Sequence, residues 1–422
     1  SSGSSFSVKD SFVSVVGLVL KKGLSLEEDG CVADGCIVVS SGADAVYVNG
    51  PAGTVSDPVV FRNCVLEGGT NRFGIYLYGN SGTIVSEVTN CTFTNGGIKT
   101  STSGAFTVDL AVDNNVVLVI AGGDLRAQGA TTVTGSGNLG AGGSWPFPVA
   151  QQALSQLWTF STNPADLSTG FQAIYDATTG ALVRAAGNDA IGVGTTTGIP
   201  AEDINGVTRL RGTYVDPGAF SLDLLEIGRT IDAAGGGDYT SFTQAEADVS
   251  TLPTSTDLLL FNEAIVFEAV AGTYAESVTI DSSTPGPALT TDATRNVTYK
   301  AAAGSEHGGA FSSGVDLTNI LVLDSFTVVD GLSVTQTSGA GVSVGSSSVT
   351  PIGVILRNLM VTAAGNSFSL VQGGTATNPC VLENCVAKST GIRSVRVTSL
   401  ASGTDSHWAV VNCTVFAPGT DH

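Results

Sequence analysis

Five short segments of the chain share one pattern, and that pattern leaves little choice of architecture. Asn63-Cys64, Asn90-Cys91, Asn358-Leu359, Asn384-Cys385 and Asn412-Cys413 are flanked alike. Two residues before each Asn stand Phe61, Val88, Leu356, Leu382 and Val410, and three after stand Leu66, Phe93, Val361, Ala387 and Val415. Counting the residue just after the Asn, all fifteen positions are apolar. The alternation on either side of the Asn has the period of a strand, but the two apolar positions around it are three apart, so the alternation skips a beat there. Asn tolerates the left-handed backbone better than most residues, so each Asn reads as a corner between two short strands. Some 15 to 17 residues upstream begins another apolar-x-apolar strand: Val46 and Val48, Ile75 and Leu77, Val342 and Val344, Phe368 and Leu370, Val395 and Val397. Loops of Gly, Ser, Thr, Asn and Pro join the two.

A repeat of 26 to 28 residues with short strands and no helical period is one coil of a parallel solenoid, in which like residues stack at about 4.8 Å. Neither the signature of leucine-rich repeats nor the four-strand spacing of propeller blades is present. The expected fold is all-β, a right-handed parallel β-helix solenoid with two β-helix blocks in tandem. The blocks resemble each other: Asp10-Ser11-Phe12 leading to Gly17-Leu18 matches Asp324-Ser325-Phe326 leading to Gly331-Leu332. Between them the sequence changes character after Ser144-Trp145-Pro146-Phe147-Pro148, with a short helix expected at Ala150–Trp158. The expected domains are 1–143, the last coils of a first β-helix; 144–228, its closing segment; and 229–422, the opening segment and first coils of a second.

Composition narrows the function classes. Of 422 residues, 37 are acidic and 17 basic, a formal charge of −20. Only 13% are charged, roughly half the usual share. The longest apolar runs, such as Val116 to Ala121, fall far short of the ~20 residues of a transmembrane helix, and 42% apolar residues exclude a disordered chain. An acidic, Lys-poor surface repels phosphate backbones and anionic lipid, so neither nucleic acid nor membrane is an expected partner. The only Met is Met360 and no signal peptide is visible, which suggests an internal or processed piece.

Two segments carry a resemblance. Ala186-Gly187-Asn188-Asp189-Ala190-Ile191-Gly192, then Asp203, Gly206, Arg209 and Asp216-Pro217-Gly218-Ala219-Phe220, is similar to the closing signature of many secreted and phage-encoded β-helix proteins. Gly237-Asp238-Tyr239-Thr240-Ser241-Phe242, followed by Ala271-Gly272-Thr273-Tyr274-Ala275-Glu276, resembles the opening of pectin methylesterases and of phage tailspike-like, pectin-lyase-like β-helices. The run from Thr290-Thr291-Asp292 to His307-Gly308-Gly309 resembles the phage version more closely. An ending that precedes an opening implies the back of one β-helix joined to the front of another. The esterase likeness stops at the opening, because the family's catalytic Asp pair, Gln and Arg have no counterpart motifs in this sequence.

No catalytic residue and no cofactor is expected. Glu27, Glu28 and Asp29 with Asp34 are weak calcium candidates through hard oxygen ligands, set against the reading of a solvated turn. Glycosidase chemistry needs two carboxylates across a groove, for which Glu67, Glu87 and Glu383 are candidates read first as surface groups. His307, His407 and His422 lack metal spacing and a Ser partner. The odd count of seven Cys is mostly the repeated corner, Cys64 with Cys91 and Cys385 with Cys413, read as free core thiols stacked on adjacent coils; Cys31 and Cys36 are the pair for which a disulfide is weighed. Tyr47, Tyr76 and Tyr78 fall on outward positions where aromatic rings can meet sugars, and Trp408 is placed likewise in the second block.

The expected function is that of a non-enzymatic structural or adhesive component of an extracellular assembly, a phage virion surface protein of the tailspike or fibre kind. Its partners would be neighbouring copies or units of that assembly and a cell-surface polysaccharide. The competing readings are a polysaccharide lyase or hydrolase acting on host glycans, and a bacterial secreted adhesin or filament subunit.

Overall fold

The computed structural model describes residues 6–52, 56–69, 72–102, 107–117, 125–126, 130–136, 138–140, 158–160, 191–196, 199–219, 221–283, 287–371, 373–391, 393–398 and 406–416. The chain packs as two units, Ser1–Asp223 and Leu224–His422. The described residues are almost all parallel β-sheet with two short α-helices, Phe242–Asp248 and Leu258–Phe261. No helix among them is long and apolar enough to cross a membrane. The helix expected at 150–158 lies outside the described residues as far as residue 157, and Trp158 opens a strand instead, Trp158–Phe160.

In the first unit, seven strands pair in the order Val19–Leu20, Ile37–Val39, Val65–Glu67, Thr92–Asn95, Val116–Val117, Asn138–Gly140 and Trp158–Phe160. Every pairing is parallel, and each strand comes one repeat after its neighbour. The second unit stacks Thr327–Asp330, Ile355–Arg357, Cys380–Glu383 and Trp408–Val411 in the same way. The repeat template is borne out residue by residue. Phe61 is in register with Val88, Leu66 with Phe93, and Leu356 with Leu382 and Val410. Upstream, Val46 pairs with Ile75, and Val342 with Phe368 and Val395. These inward residues form the cores, fully buried at Phe61, Val88, Leu66, Phe93, Leu356, Leu382 and Phe368. The last described repeat departs from the template, since Val410 and Val415 are about half exposed at the end of their stacks.

The corners are left-handed as expected, with φ of 54° at Asn63, 52° at Asn90, 53° at Asn358, 52° at Asn384 and 53° at Asn412. The same place in the register is also held by Gly17, Gly35, Gly331 and Asn114, which extends the column beyond the Asn-Cys dipeptide. A second corner recurs in both units. Phe12 (φ 61°) lies over Gly30, and Phe326 (φ 53°) over Gly353; a Cβ on either glycine would sit 2.5 Å from the Phe ring.

Cysteine follows the corner for a physical reason. The Sγ of Cys36, Cys64, Cys385 and Cys413 lies 3.3 to 3.6 Å from the carbonyl two residues before the corner of the preceding repeat (Val15, Ala33, Leu356 and Leu382) and 3.2 to 3.5 Å from the carbonyl two residues back in its own repeat (Asp34, Arg62, Glu383 and Val411), so its one proton is shared between the two. Where the repeat turns polar, Asn115 and Asn138 reach the carbonyl of the preceding repeat through Nδ2, Val88 O at 2.7 Å and Val112 O at 2.8 Å. A small side chain with a donor fills the tight corner and satisfies a buried carbonyl. All seven cysteines are free, so Cys31 and Cys36 form no disulfide. Cys36 belongs to the corner column, while Cys31 precedes the strand Val32–Asp34 and donates to Asp10 O.

The closing segment of the first unit lies along its Asn column. Arg209 and Arg211 are completely buried, and Arg211 clasps Asp216 with two bonds of 2.6 and 2.7 Å. Asp216 also accepts from the backbone N–H of Gly192 and Leu222. Asp203 caps its own turn through Asn205 N and Val207 N, and holds Ser221 N at 2.8 Å. The Asp-x-x-Gly-x-x-Arg signature is therefore a structural clamp. Replacing Asp216 with Asn leaves a buried guanidinium uncompensated, a loss of about 3–5 kcal/mol. Trypsin should then cut at Arg209 and Arg211 many-fold faster than in the parent chain; an unchanged rate would remove the clamp from the account.

Candidate functional site

The opening motif of the second unit builds a cap. Ser241 accepts from Gln244 N at the start of helix Phe242–Asp248, and Glu276 accepts from Phe242 N, Thr243 N and Thr243 Oγ1 at 2.6 to 3.0 Å. The carboxylate complements the unpaired N–H groups of a helix N-terminus. Phe242 packs edge-on against Tyr274 at 5.1 Å, and Tyr299 stacks on Phe267 at 4.9 Å. Glu276 is thereby taken up by the start of the helix.

On the buried face of this helix sits a strongly perturbed carboxyl, Glu246. Glu246 is buried, accepts a hydrogen bond from the Tyr299 hydroxyl and another from Asp281 N at 2.7 Å. Loss of water around it pushes its pKa up to about 7, against the bonds from Tyr299 and Asp281. Asp324, holding Ser282 N at 2.6 Å, is raised by burial as well. A group whose pKa is raised on folding contributes stability below its unfolded value and loses that contribution as pH climbs through the folded value. The second unit should therefore be weaker by about 3 kcal/mol at pH ~8 than at pH ~5. Hydrogen exchange of Glu263–Ala269 and Val297–Ala301 at the two pH values measures this. Glu246→Gln should flatten the dependence; a parent chain equally stable at both values contradicts the assignment.

Two clefts of similar build lie beside the corner columns. In the first unit a cleft of about 490 Å³ is lined by Asp34, Gly35, Arg62, Asn63 and the closing residues 200–206. In the second a cleft of about 520 Å³ is lined by Glu268, Lys300, Glu306, His307, Asp330, Gly331 and Asn358. Asp34 accepts from Arg62 Nε at 2.9 Å and Asn63 Nδ2 at 3.4 Å; Asp330 accepts from Arg357 Nε at 2.8 Å and Asn358 Nδ2 at 2.7 Å. Lys300 pairs with Glu268 at 2.9 Å. His307 accepts at Nδ1 from Gly309 N, which puts its proton on Nε2, and that proton goes to Asn358 O at 2.7 Å. Its ring is bonded to backbone atoms, so it is not a general base paired with a nucleophile.

The calcium candidates do not converge. Asp34 is engaged by Arg62 and Asn63, while Glu27 accepts from Ser7 and Ser25 with Lys9 at 3.9 Å. Glu28 is exposed and Asp29 half-buried. Among the described residues no three His, Cys, Asp or Glu side chains gather as metal ligands. Glu67 and Glu87 are exposed and Glu383 half-buried. His422 lies outside the described residues, and His407 is half-buried beside Trp408.

The tyrosines do converge. Tyr47 and Tyr76 are register partners, and Tyr78 joins them: ring centroids lie 5.5 Å apart for Tyr47–Tyr76, 6.3 Å for Tyr47–Tyr78 and 5.9 Å for Tyr76–Tyr78. Lys99, next in the same column, holds its Nζ 4.4 Å over the Tyr76 ring. The three rings are half-buried, and a depression of about 210 Å³ lined by Lys22, Ser25, Asp44 and Tyr47 adjoins them. Trp408 is different. It is in register with the buried Cys380 and packs against the core and Gly373, so it takes an inward position and offers no outward platform. The expectation failed because Trp408 is the first residue of its strand and its phase is set by the corner four residues later.

The chain matches no family model, and no curated protein matches it.

Proposed function

We propose that the chain is a right-handed parallel β-helix serving as a structural, adhesive component of an extracellular assembly, a virion surface protein of the phage tailspike or fibre kind. What carries this reading is the tyrosine cluster. Tyr47, Tyr76 and Tyr78 stand on a wall whose backbone is fixed by parallel pairing on both sides, so the half-buried aromatic cluster, with Lys99 over the Tyr76 ring, is held in place at little entropic cost. Such a surface suits the apolar faces of sugar rings, and Lys22, Ser25 and Asp44 in the depression beside Tyr47 suit their hydroxyls. Exposed apolar side chains on the end strands, Val16 and Val19 in one unit and Val410 and Val415 in the other, support contact with a neighbouring copy or unit. The carboxylates Glu276, Asp203 and Asp216 are taken up by caps and clamps, which favours adhesion over hydrolysis.

The test is binding of the full chain to an array of cell-surface polysaccharides. Tyr47→Ala with Tyr76→Ala should weaken the bound glycan by about tenfold or more while leaving thermal stability within about 1 kcal/mol. Absence of any glycan binding removes the adhesive reading. Release of reducing or unsaturated ends from the same polysaccharides replaces it with a lyase or hydrolase.

A further inference from the structure

The two units treat one structural element in opposite ways. In the first, the corner residues Asn63, Asn90 and Asn114 are buried, the last two completely. Their amides hold the closing segment: Asn63 Nδ2 donates to Glu202 O at 3.0 Å, Asn90 Nδ2 to Asp216 O at 3.4 Å and Asn114 Nδ2 to Thr195 O at 2.7 Å. In return Arg209 Nη2 donates to Asn63 Oδ1 and Thr195 N to Asn114 Oδ1, both at 2.6 Å. In the second unit the corner residues Asn358, Asn384 and Asn412 have the same φ within two degrees, yet all three are exposed. Asn358 spends its Nδ2 on Asp330 as Asn63 does on Asp34, and the side chains of Asn384 and Asn412 bond to no described residue.

The flanking chemistry is duplicated too. An Asp-Gly corner followed one repeat later by Arg-Asn occurs as Asp34-Gly35 with Arg62-Asn63 and as Asp330-Gly331 with Arg357-Asn358. Beside each lies a cleft of about 500 Å³, one of them walled by residues 200–206 of the closing segment. Asparagine is not required for the left-handed turn, because Gly17, Gly35 and Gly331 make it equally well. What Asn adds at the corner is an amide that can hold a backbone running past it.

We propose that the Asn358–Asn384–Asn412 column is a docking surface for a polypeptide segment of the closing type, one that offers backbone carbonyls to the three Nδ2 groups and an arginine to Asn358 Oδ1. Successive amides are spaced by one repeat, about 4.8 Å, as on the covered column. Substituting glycine for these asparagines keeps the left-handed backbone and deletes only the amide, so the variant folds and tests recognition alone.

The experiment appends a second copy of residues 191–222 to the full chain through a flexible Gly/Ser linker, followed by an epitope. Tethering raises the effective concentration of the segment to the millimolar range. Within 191–222 the only trypsin sites are Arg209 and Arg211, both of which docking buries in the first unit. The epitope should be lost about tenfold more slowly than from the variant Asn358→Gly, Asn384→Gly, Asn412→Gly carrying the same extension. Equal rates overturn the proposal, whether because the copy stays undocked or because it exchanges onto the first unit, which the three glycines do not touch.

Discussion

A left-handed residue recurring down one column of each unit sets the geometry of the repeats that carry it. A strand alternates its side chains between two faces, and the skip at the corner lets inward residues resume on the far side without leaving the wall. Asn and Gly are the residues that sit at φ near +55° to +70° at little cost, and the column is made of them: Gly17, Gly35, Asn63, Asn90 and Asn114 in one unit, Gly331, Asn358, Asn384 and Asn412 in the other. Because the corner is identical from repeat to repeat, strands on either side stay in parallel register and apolar ladders such as Leu356–Leu382–Val410 follow.

The corner also creates a need that the following residue meets. Turning the chain leaves the carbonyl two residues earlier inside the wall, and a thiol or an amide from the next repeat reaches it. This explains thiols that are chemically quiet. Burial pushes the Cys385 thiol up to about 12, and the Cys36 thiol is raised by its bond with Cys64 and by burial. It also explains why the odd number of cysteines poses no redox problem. Buried charge is met in more than one way: Arg211 is matched by Asp216, Arg209 is held by neutral acceptors that include Asn63 Oδ1 and Asp216 O, and burial favours the neutral form of Glu246.

Much of this was legible in the sequence because a ladder repeats its own signature. The Asn-Cys dipeptides with their flanks located the inward positions correctly, and Tyr47 with Tyr76 came out as outward neighbours. The column was read too short wherever the residue types changed. Gly35-Cys36 and Gly331-Leu332 place glycine at the corner, and Asn114-Asn115 places an amide where Cys was the cue. Arg209 and Asp216 stood out only as parts of the closing signature, and their burial was not legible: Arg211 meets Asp216 five residues on, but Arg209 also bonds Asn63, 146 residues away. Charged residues in a Gly-rich stretch resemble a surface loop until the column they cover is known. Trp408 was misplaced for a related reason, as its phase comes from its neighbour repeat and from Asn412.

The left-handed corner is tested most directly at Asn384, whose side chain is exposed and bonds to no described residue, so that only its backbone conformation counts. The measurement is hydrogen exchange across Cys380–Glu383 and Val386–Ser389 in Asn384→Gly and Asn384→Val. Valine is the better residue for an ordinary strand, but at φ near +52° it is strained. The account predicts that Asn384→Gly stays close to the parent while Asn384→Val loses about 2 kcal/mol of local stability. Valine tolerated as well as glycine, or better, would contradict it.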